Sequence, residues 1–299
     1  MDTLKIFIEQ LINGISLGSV YALIALGYTM VYGIVKLINF AHGDILMVGA
    51  YTGFYVLSAL TPTPWSLALA FLASMLVCGI VGIVIERFAY RPLRSAPRLN
   101  SLITAIAVSL FLQNLARVLP FVGPNPRPYP TMQTKTIPFG IFSVSNIQLI
   151  VIITSIVLML ILNYIISRTK MGKAMRAVSF DQHAASLMGI SVNKIIMFTF
   201  ALGSVLAAAG GILYATAYPQ IEPTMGSMPG LKAFVAAVLG GIGSVPGAMI
   251  GGYVLGVAET LTKGFISSQY ADAISFSILI VILLVKPTGI MGKNSRVKV

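Results

Sequence analysis

Short polar intervals divide this chain into apolar stretches that are each long enough to cross a bilayer, and no other feature limits its fold as tightly. A helix needs roughly 20 mostly apolar residues to span the hydrocarbon core. By that measure the segments are Ile6 to Ile34, Ile38 to Leu60, Trp65 to Ile85, Leu99 to Leu119, Ile147 to Ser167 and Ile195 to Tyr218, then a glycine-rich region from Gly230 to Leu261 and a last segment from Ala273 to Val285. Backbone in lipid must satisfy its own hydrogen bonds, so such segments read as helices. Only 9% of the 299 residues are charged and 57% are hydrophobic, against about 25% charged in soluble domains. The expectation is an all-α polytopic membrane protein, one transmembrane domain over residues 1–299, with eight or nine transmembrane helices, some interrupted or re-entrant. The first segment is too long for a simple span, which predicts tilt, a break, or an interfacial start at Lys5 and Glu9.

Charge supplies orientation. The 20 basic residues outnumber the 8 acidic ones, but they gather in the intervals between apolar runs and form no stripe, which argues for the positive-inside rule and against a nucleic-acid partner. Glu86 to Arg98, Arg168 to Lys194 and the tail Lys286 to Val299 are basic and belong in the cytoplasm, whereas Pro120 to Asn146 and Pro219 to Pro229 are nearly uncharged and belong outside. The N-terminus is then periplasmic and the C-terminus cytoplasmic, with an odd number of crossings after Pro229. The N-terminal MDTLKIFIEQL lacks the cleavage pattern of a removable signal. The single cysteine, Cys78, excludes an intramolecular disulfide and a cysteine metal cluster. No phosphate-binding loop motif occurs, so the chain is not its own ATPase, and no nucleophile with a base, paired carboxylates or metal-ligand spacing is written locally.

The longest polar interval, Arg168 to Lys194, carries five Lys or Arg, one acid and one of the chain's 2 histidines. Ser179-Phe-Asp-Gln182 fits a capping box that starts a helix at about Phe180, and Gly189 is suited to ending it. Phe180, Ala184, Leu187 and Met188 follow helical spacing as one apolar stripe, with Asp181, Gln182 and His183 off it. So short a helix can lie on the membrane surface or fit a groove on a partner.

Two stretches are poor lipid-facing helix. Lys36 to Gly53 places Asn39, His42 and Asp44 beside a spanning segment, and Gly230 to Gly256 holds Gly240, Gly241, Gly243 and Pro246. Irregular backbone at membrane depth is tolerated only where protein or a water-filled cavity satisfies it, so both stretches face the interior and are candidates for a translocation path. An acid kept at bilayer depth costs about 2.5 to 3.5 kcal/mol and normally has a partner or a task. Asp44 either caps the helix that follows a turn or contacts a substrate. Met47 to Tyr51 resembles Met249 to Tyr253, which fits an internal inverted repeat or, more simply, close helix packing by small residues. Glu259 and Lys263 are spaced i,i+4 and read as a surface pair.

Gly27 to Tyr51, Met171 to Ile190 and Ala236 to Gly252 together carry a family likeness. Over essentially its whole length the chain resembles the permease subunits of bacterial ATP-binding-cassette importers for branched-chain amino acids. The resemblance implies an importer in the inner membrane: this permease, a second permease that is related but different, two ATPase subunits that bind ATP and Mg, and an external solute-binding protein. This chain itself would bind no cofactor, and lipid would surround it. Such permeases present a cytoplasmic coupling helix with an E-A-A-x-x-x-G pattern, matched here by His183-Ala184-Ala185-Ser-Leu-Met-Gly189 except that His183 stands where Glu is typical, which leaves Asp181 as the nearby acid. Related permeases for urea or short amides share these motifs, and a secondary transporter working without ATPases is the alternative from another class.

Overall fold

The computed structural model describes residues 2–94, 96–139 and 142–292. It is an all-α polytopic membrane protein, and the expected segments appear with small changes at their ends. Helix α1 is Asp2–Val35, α2 His42–Ala59, α3 Pro64–Ile85, α4 Arg98–Val118, α5 Asn146–Arg168, α8 Val192–Ala217, α9 Ser227–Gly240, α10 Val245–Phe265 and α11 Ala271–Val285. Two further helices, α6 Lys170–Phe180 and α7 Gln182–Leu187, lie in the long basic interval. Among the described residues six helical stretches, containing α1, α3, α4, α5, α8 and α11, are long and apolar enough to cross a membrane. Helices α2, α9 and α10 pack among them. The long first segment is not broken; α1 runs for 34 residues, about 50 Å. Half of the basic tail, residues 293–299, lies outside the described residues.

Helix starts are written locally. Thr63 and Ser66 form a reciprocal capping box ahead of α3, with Pro64 at its first position. Ser145 and Gln148 do the same for α5. The Thr169 hydroxyl accepts from Gly172 N at the start of α6, and the Ser244 hydroxyl from Gly247 N at the start of α10.

The centre of the bundle is α1 in antiparallel contact with α10, flanked by α8. Small residues bring these backbones together: a side chain at Gly256 would collide with Gly18, and one at Gly252 with Ala22. The same holds for the two similar pentapeptides, since Gly49 rests on Ala208 of α8 and Gly251 on Ala236 of α9. In both copies the glycines serve helix packing.

The two ends differ. At one end, hereafter the α7 end, lie Val35, the α9–α10 turn and α7. At the other, the hairpin end, the intervals expected to be loops hold short strands: β1 Arg127–Pro128 pairs with β4 Gln220–Ile221, and β2 Thr136–Phe139 with β3 Phe142–Ser145, both antiparallel.

Candidate functional site

Two places bring the sequence candidates into defined geometry. The first is a junction deep inside the bundle. From Val35 the chain leaves the helix through Lys36, a non-glycine residue at φ 59, and returns inward through Leu37 and Ile38 to Asn39. The Asn39 side chain is buried, accepts from Ala41 N at 3.1 Å and from the Tyr90 hydroxyl at 2.9 Å, and its carbonyl accepts from His42 N. These bonds let α2 begin inside the protein. His42 lies against Gly27 and Tyr28 of α1, with its ring 4.7 Å from that of Tyr28, while Gly27 also approaches Gly203 near the centre of α8. Helix α2 therefore starts about 12 Å inward of Val35 along α1 at 1.5 Å per residue.

Helix α9 starts at the same height and runs the opposite way. A Cβ on Gly226, the residue before α9, would fall 1.9 Å from the Gly43 carbonyl oxygen, and one on Gly43 would fall 2.5 Å from the Gly226 oxygen. Gly230 packs on the Cα of Gly43. Only glycine permits this approach, so the N-termini of α2 and α9 meet backbone to backbone. Gln113 of α4 clasps the pair: its Nε2 donates to Asp44 Oδ1 at 2.8 Å and to Ser227 Oγ at 3.2 Å.

Asp44 is not the cap that the turn reading offered. The N-cap position of α2 is Ala41, and Asp44 sits in the first turn with its carboxylate turned to α4. Beside it lies a cavity of about 160 Å³ lined by Tyr28, Phe40, Asp44, Ser109, Ser227 and Leu231, with Gly43, Gly226 and Gly230 as its floor. His42 does not line it.

Gly240, Gly241, Gly243 and Pro246 lie elsewhere. They form the tight α9–α10 turn at the α7 end, where Gly241 has φ 103, Pro246 occupies the first turn of α10, and Ile290 and Met291 donate their N–H groups to Leu239 O and Gly240 O. The structure thus separates the two groups of path candidates by the length of α9, about 20 Å.

Glu259 is corrected from a surface residue to a buried one. It is 1% exposed and accepts from Tyr21 Oη at 2.9 Å, Lys232 Nζ at 2.8 Å and Lys263 Nζ at 2.7 Å. Lys232 of α9 reaches Asp272 of α11 as well, at 2.6 Å. The i,i+4 spacing is real, but α10 is enclosed by α1 and α9, and spacing along one helix carries no information about its neighbours.

The second place is the corner between α6 and α7. Asp181 closes both helices: its N–H donates to Ala177 O at the end of α6, and its Oδ1 accepts from His183 N at 2.8 Å and Ala184 N at 2.9 Å at the start of α7. Those N–H groups of Ala184 and His183 hold the Asp181 carboxyl below the usual carboxylate range. The capping box expected from Ser179 is not formed. Ser179 lies within α6 and its hydroxyl donates to Arg176 O, while Gln182 Nε2 donates to Ile34 O at 3.3 Å and ties the corner to α1. Gly189 ends the element as expected, at φ 79. Along the expected stripe, Phe180 is 95%, Leu187 79% and Met188 82% exposed, and Ala184 is exposed too. Ala185 faces inward at 5%. His183 is exposed.

The chain matches the family model for the branched-chain amino acid transport system permease component over residues 10–283. It is 44% identical to the high-affinity branched-chain amino acid transport system permease protein LivH of Salmonella typhimurium and 43% identical to BraD, of the same description, of Pseudomonas aeruginosa, with 98% of each chain covered in both comparisons. A more distant likeness, 27% over 93% of this chain and 85% of the relative, links it to the ribose import permease protein RbsC of Escherichia coli. No solved structure matches it. A bundle of membrane-length helices, the three sequence blocks and similarity over nearly the whole chain agree, and the chain belongs to the branched-chain amino acid transport permease family.

Proposed function

We propose that this chain is a translocating subunit of an ATP-driven importer that carries branched-chain amino acids across the inner membrane. The observation that carries the proposal is the corner at Asp181. Three large apolar side chains stand uncovered on a capped, rigid element that is tied through Gln182 to the end of α1. Fully burying a large apolar side chain is worth about 1.5 to 3 kcal/mol, so a groove that covers Phe180, Leu187 and Met188 gains a firm hold on α1.

The occupant of that hold is a partner ATPase subunit. Closure of two such subunits on ATP and Mg, which they and not this chain bind, carries the corner as a lever and shifts the bundle between outward-open and inward-open arrangements. A second permease, related but not identical, completes the path, and an external solute-binding protein delivers the amino acid. The α7 end with its basic intervals faces the cytoplasm, with the C-terminus, and the hairpin end faces the periplasm. Residues Asn39, His42 and Asp44 belong to the wall of the path, and the α9–α10 turn to the moving parts beneath it.

Uptake of labelled leucine and of urea into vesicles holding the complete complex tests the solute. ATP-dependent leucine uptake is expected, and uptake of urea alone would replace the amino acid with a short amide. Transport by the isolated chain on an ion gradient would overturn the coupled mechanism.

A further inference from the structure

The cavity at the α2–α9 junction has a chemistry more specific than a stretch of path wall. The one carboxylate in its lining is that of Asp44, 2% exposed. One carboxylate oxygen takes the Gln113 amide, leaving acceptor capacity for a donor from a guest. The hydroxyls of Ser109 and Ser227 and the rings of Tyr28 and Phe40 line the same space, and an ammonium is stabilised both by hydroxyl oxygens and by aromatic faces. These groups converge on a small cation.

The junction as a whole is not a cation trap, however. Each helix N-terminus carries roughly half a positive charge, and two of them meet here, so together they balance Asp44. What remains is a pair of separated poles with little net charge: a negative one at Asp44 and a positive one at the start of α9. A net cation gains at the first and loses at the second, and an anion does the reverse. A zwitterion gains at both.

Size narrows the guest further. About 160 Å³ corresponds to roughly five waters at about 30 Å³ each. The head of an α-amino acid, its Cα with the ammonium and the carboxylate, fits within that space.

We propose that this cavity is a head-group subsite for a zwitterionic α-amino acid, with Asp44 and the Ser109 hydroxyl receiving the ammonium and the N-terminal end of α9, where Ser227 stands, facing the carboxylate. The assignment rests on the reading of the chain as an amino-acid importer. It makes the junction selective for the head.

Asp44→Asn separates this role from a structural one. The asparagine carbonyl still accepts from Gln113, so the clasp on α4 survives while the charge is lost. In vesicles holding the full complex, D44N is expected to lower the maximal rate of leucine uptake at least tenfold at an unchanged half-saturation concentration, because capture belongs to the external binding protein. Asp44→Glu, which keeps the charge, is expected to recover a substantial part of that rate. A D44N complex that carries leucine at the wild-type rate, or a D44E complex as impaired as D44N, overturns the subsite. If D44N fails to assemble, Ser109→Leu fills the cavity from α4, and an undiminished leucine rate in S109L overturns it equally. Failure of the wild-type complex to take up any amino acid would instead sink the functional reading on which the subsite stands.

Discussion

At the junction of α2 and α9 the chain turns polar groups inward and closes the remaining gaps with glycine, whereas at the α6–α7 corner it leaves large apolar side chains in the open. Asp44 is 2% exposed and Phe180 is 95% exposed. Each inverts the usual rule for its surroundings, since ionisable groups are costly inside a membrane protein and contiguous apolar groups are costly in water. The junction resolves its conflict within the chain, through Gln113, Asn39 and the glycine contacts. The corner resolves nothing by itself and, on the function proposed above, is covered by a partner. One place is held together within the chain and the other, on the function proposed above, is half of an interface, so substitutions in the first should cost stability, and in the second, association.

The largest effect should come from the ion cluster that anchors α9 to its neighbours. Glu259→Leu leaves Lys263 and Tyr21 without their buried partner, and Lys232 with Asp272 alone. Breaking a buried pair from one side costs about 3 to 5 kcal/mol, and denaturant or thermal unfolding of the chain in detergent should show a loss of that order. A loss below about 1 kcal/mol would mean that the cluster is solvated in the protein and that the inner region is less closed than its burial implies.

Gly226→Val comes next. Its side chain would enter the space of the Gly43 carbonyl, so the two N-termini must part, and overpacking of this kind costs about 1 to 3 kcal/mol. Uptake should fall further than stability does, because the wall of the cavity moves with the junction. Wild-type uptake in a stably folded G226V protein would show that the two helix starts can separate freely, and would end the contrast from the inner side.

How much of this contrast can be read in the residues depends on how far apart the partners lie. The corner is largely legible because its parts are local: Gly189 stops it, and the stripe that includes Leu187 and Met188 follows helical spacing. Even so, the cap falls on Asp181 and not Ser179. The four-residue capping pattern points to Ser179, whereas Asp181 is a favoured N-cap residue by itself, and only the run of α6 through Ser179, stabilised by Met175 and Val178 packing inward, decides between them. The junction is legible only in outline. Asn39, His42 and Asp44 stand out as polar residues in an apolar segment, but Gln113 joins Asp44 across 69 positions and Ser227 across 114. Lys232 escaped notice although a lone base inside an apolar segment is itself a signal of a buried partner; that partner, Glu259, is 27 positions away and looked like half of a surface pair.

Leu187→Asp combined with Met188→Asp addresses the outer side of the contrast. Neither side chain is covered within the chain, so folding stability should shift by no more than about 0.5 kcal/mol. Two lost burials at about 1.5 to 3 kcal/mol each should weaken association with the ATPase subunits more than a hundredfold, at about 1.4 kcal/mol per tenfold. Co-purification from membranes reads this directly, and full recovery of the ATPases with the double variant would show that the corner is not their seat. The two alanines should separate likewise: Ala184→Glu impairs association alone, whereas Ala185→Glu, at a position facing inward, also loosens α7.

The smallest effect concerns the cap, and it tests whether the corner is preformed or shaped by its partner. The Asp181 carboxyl is held below its ordinary range by the Ala184 and His183 N–H groups, so its contribution to holding α7 is fully present above the ordinary carboxylate pKa of about 3.9. It is lost only as pH falls through the lower value of the folded state. Between pH 8 and pH 5 the Asp181 cap should therefore be unchanged. Hydrogen exchange at the His183 and Ala184 amides, corrected for the intrinsic pH dependence, should report constant protection across that window in the wild-type chain, a several-fold loss in Asp181→Ala, and little change in Asp181→Asn, since asparagine caps nearly as well. Equal exchange in all three proteins would mean that α7 is unformed until the ATPase arrives, and the lever would then be assembled by docking instead of being presented to it.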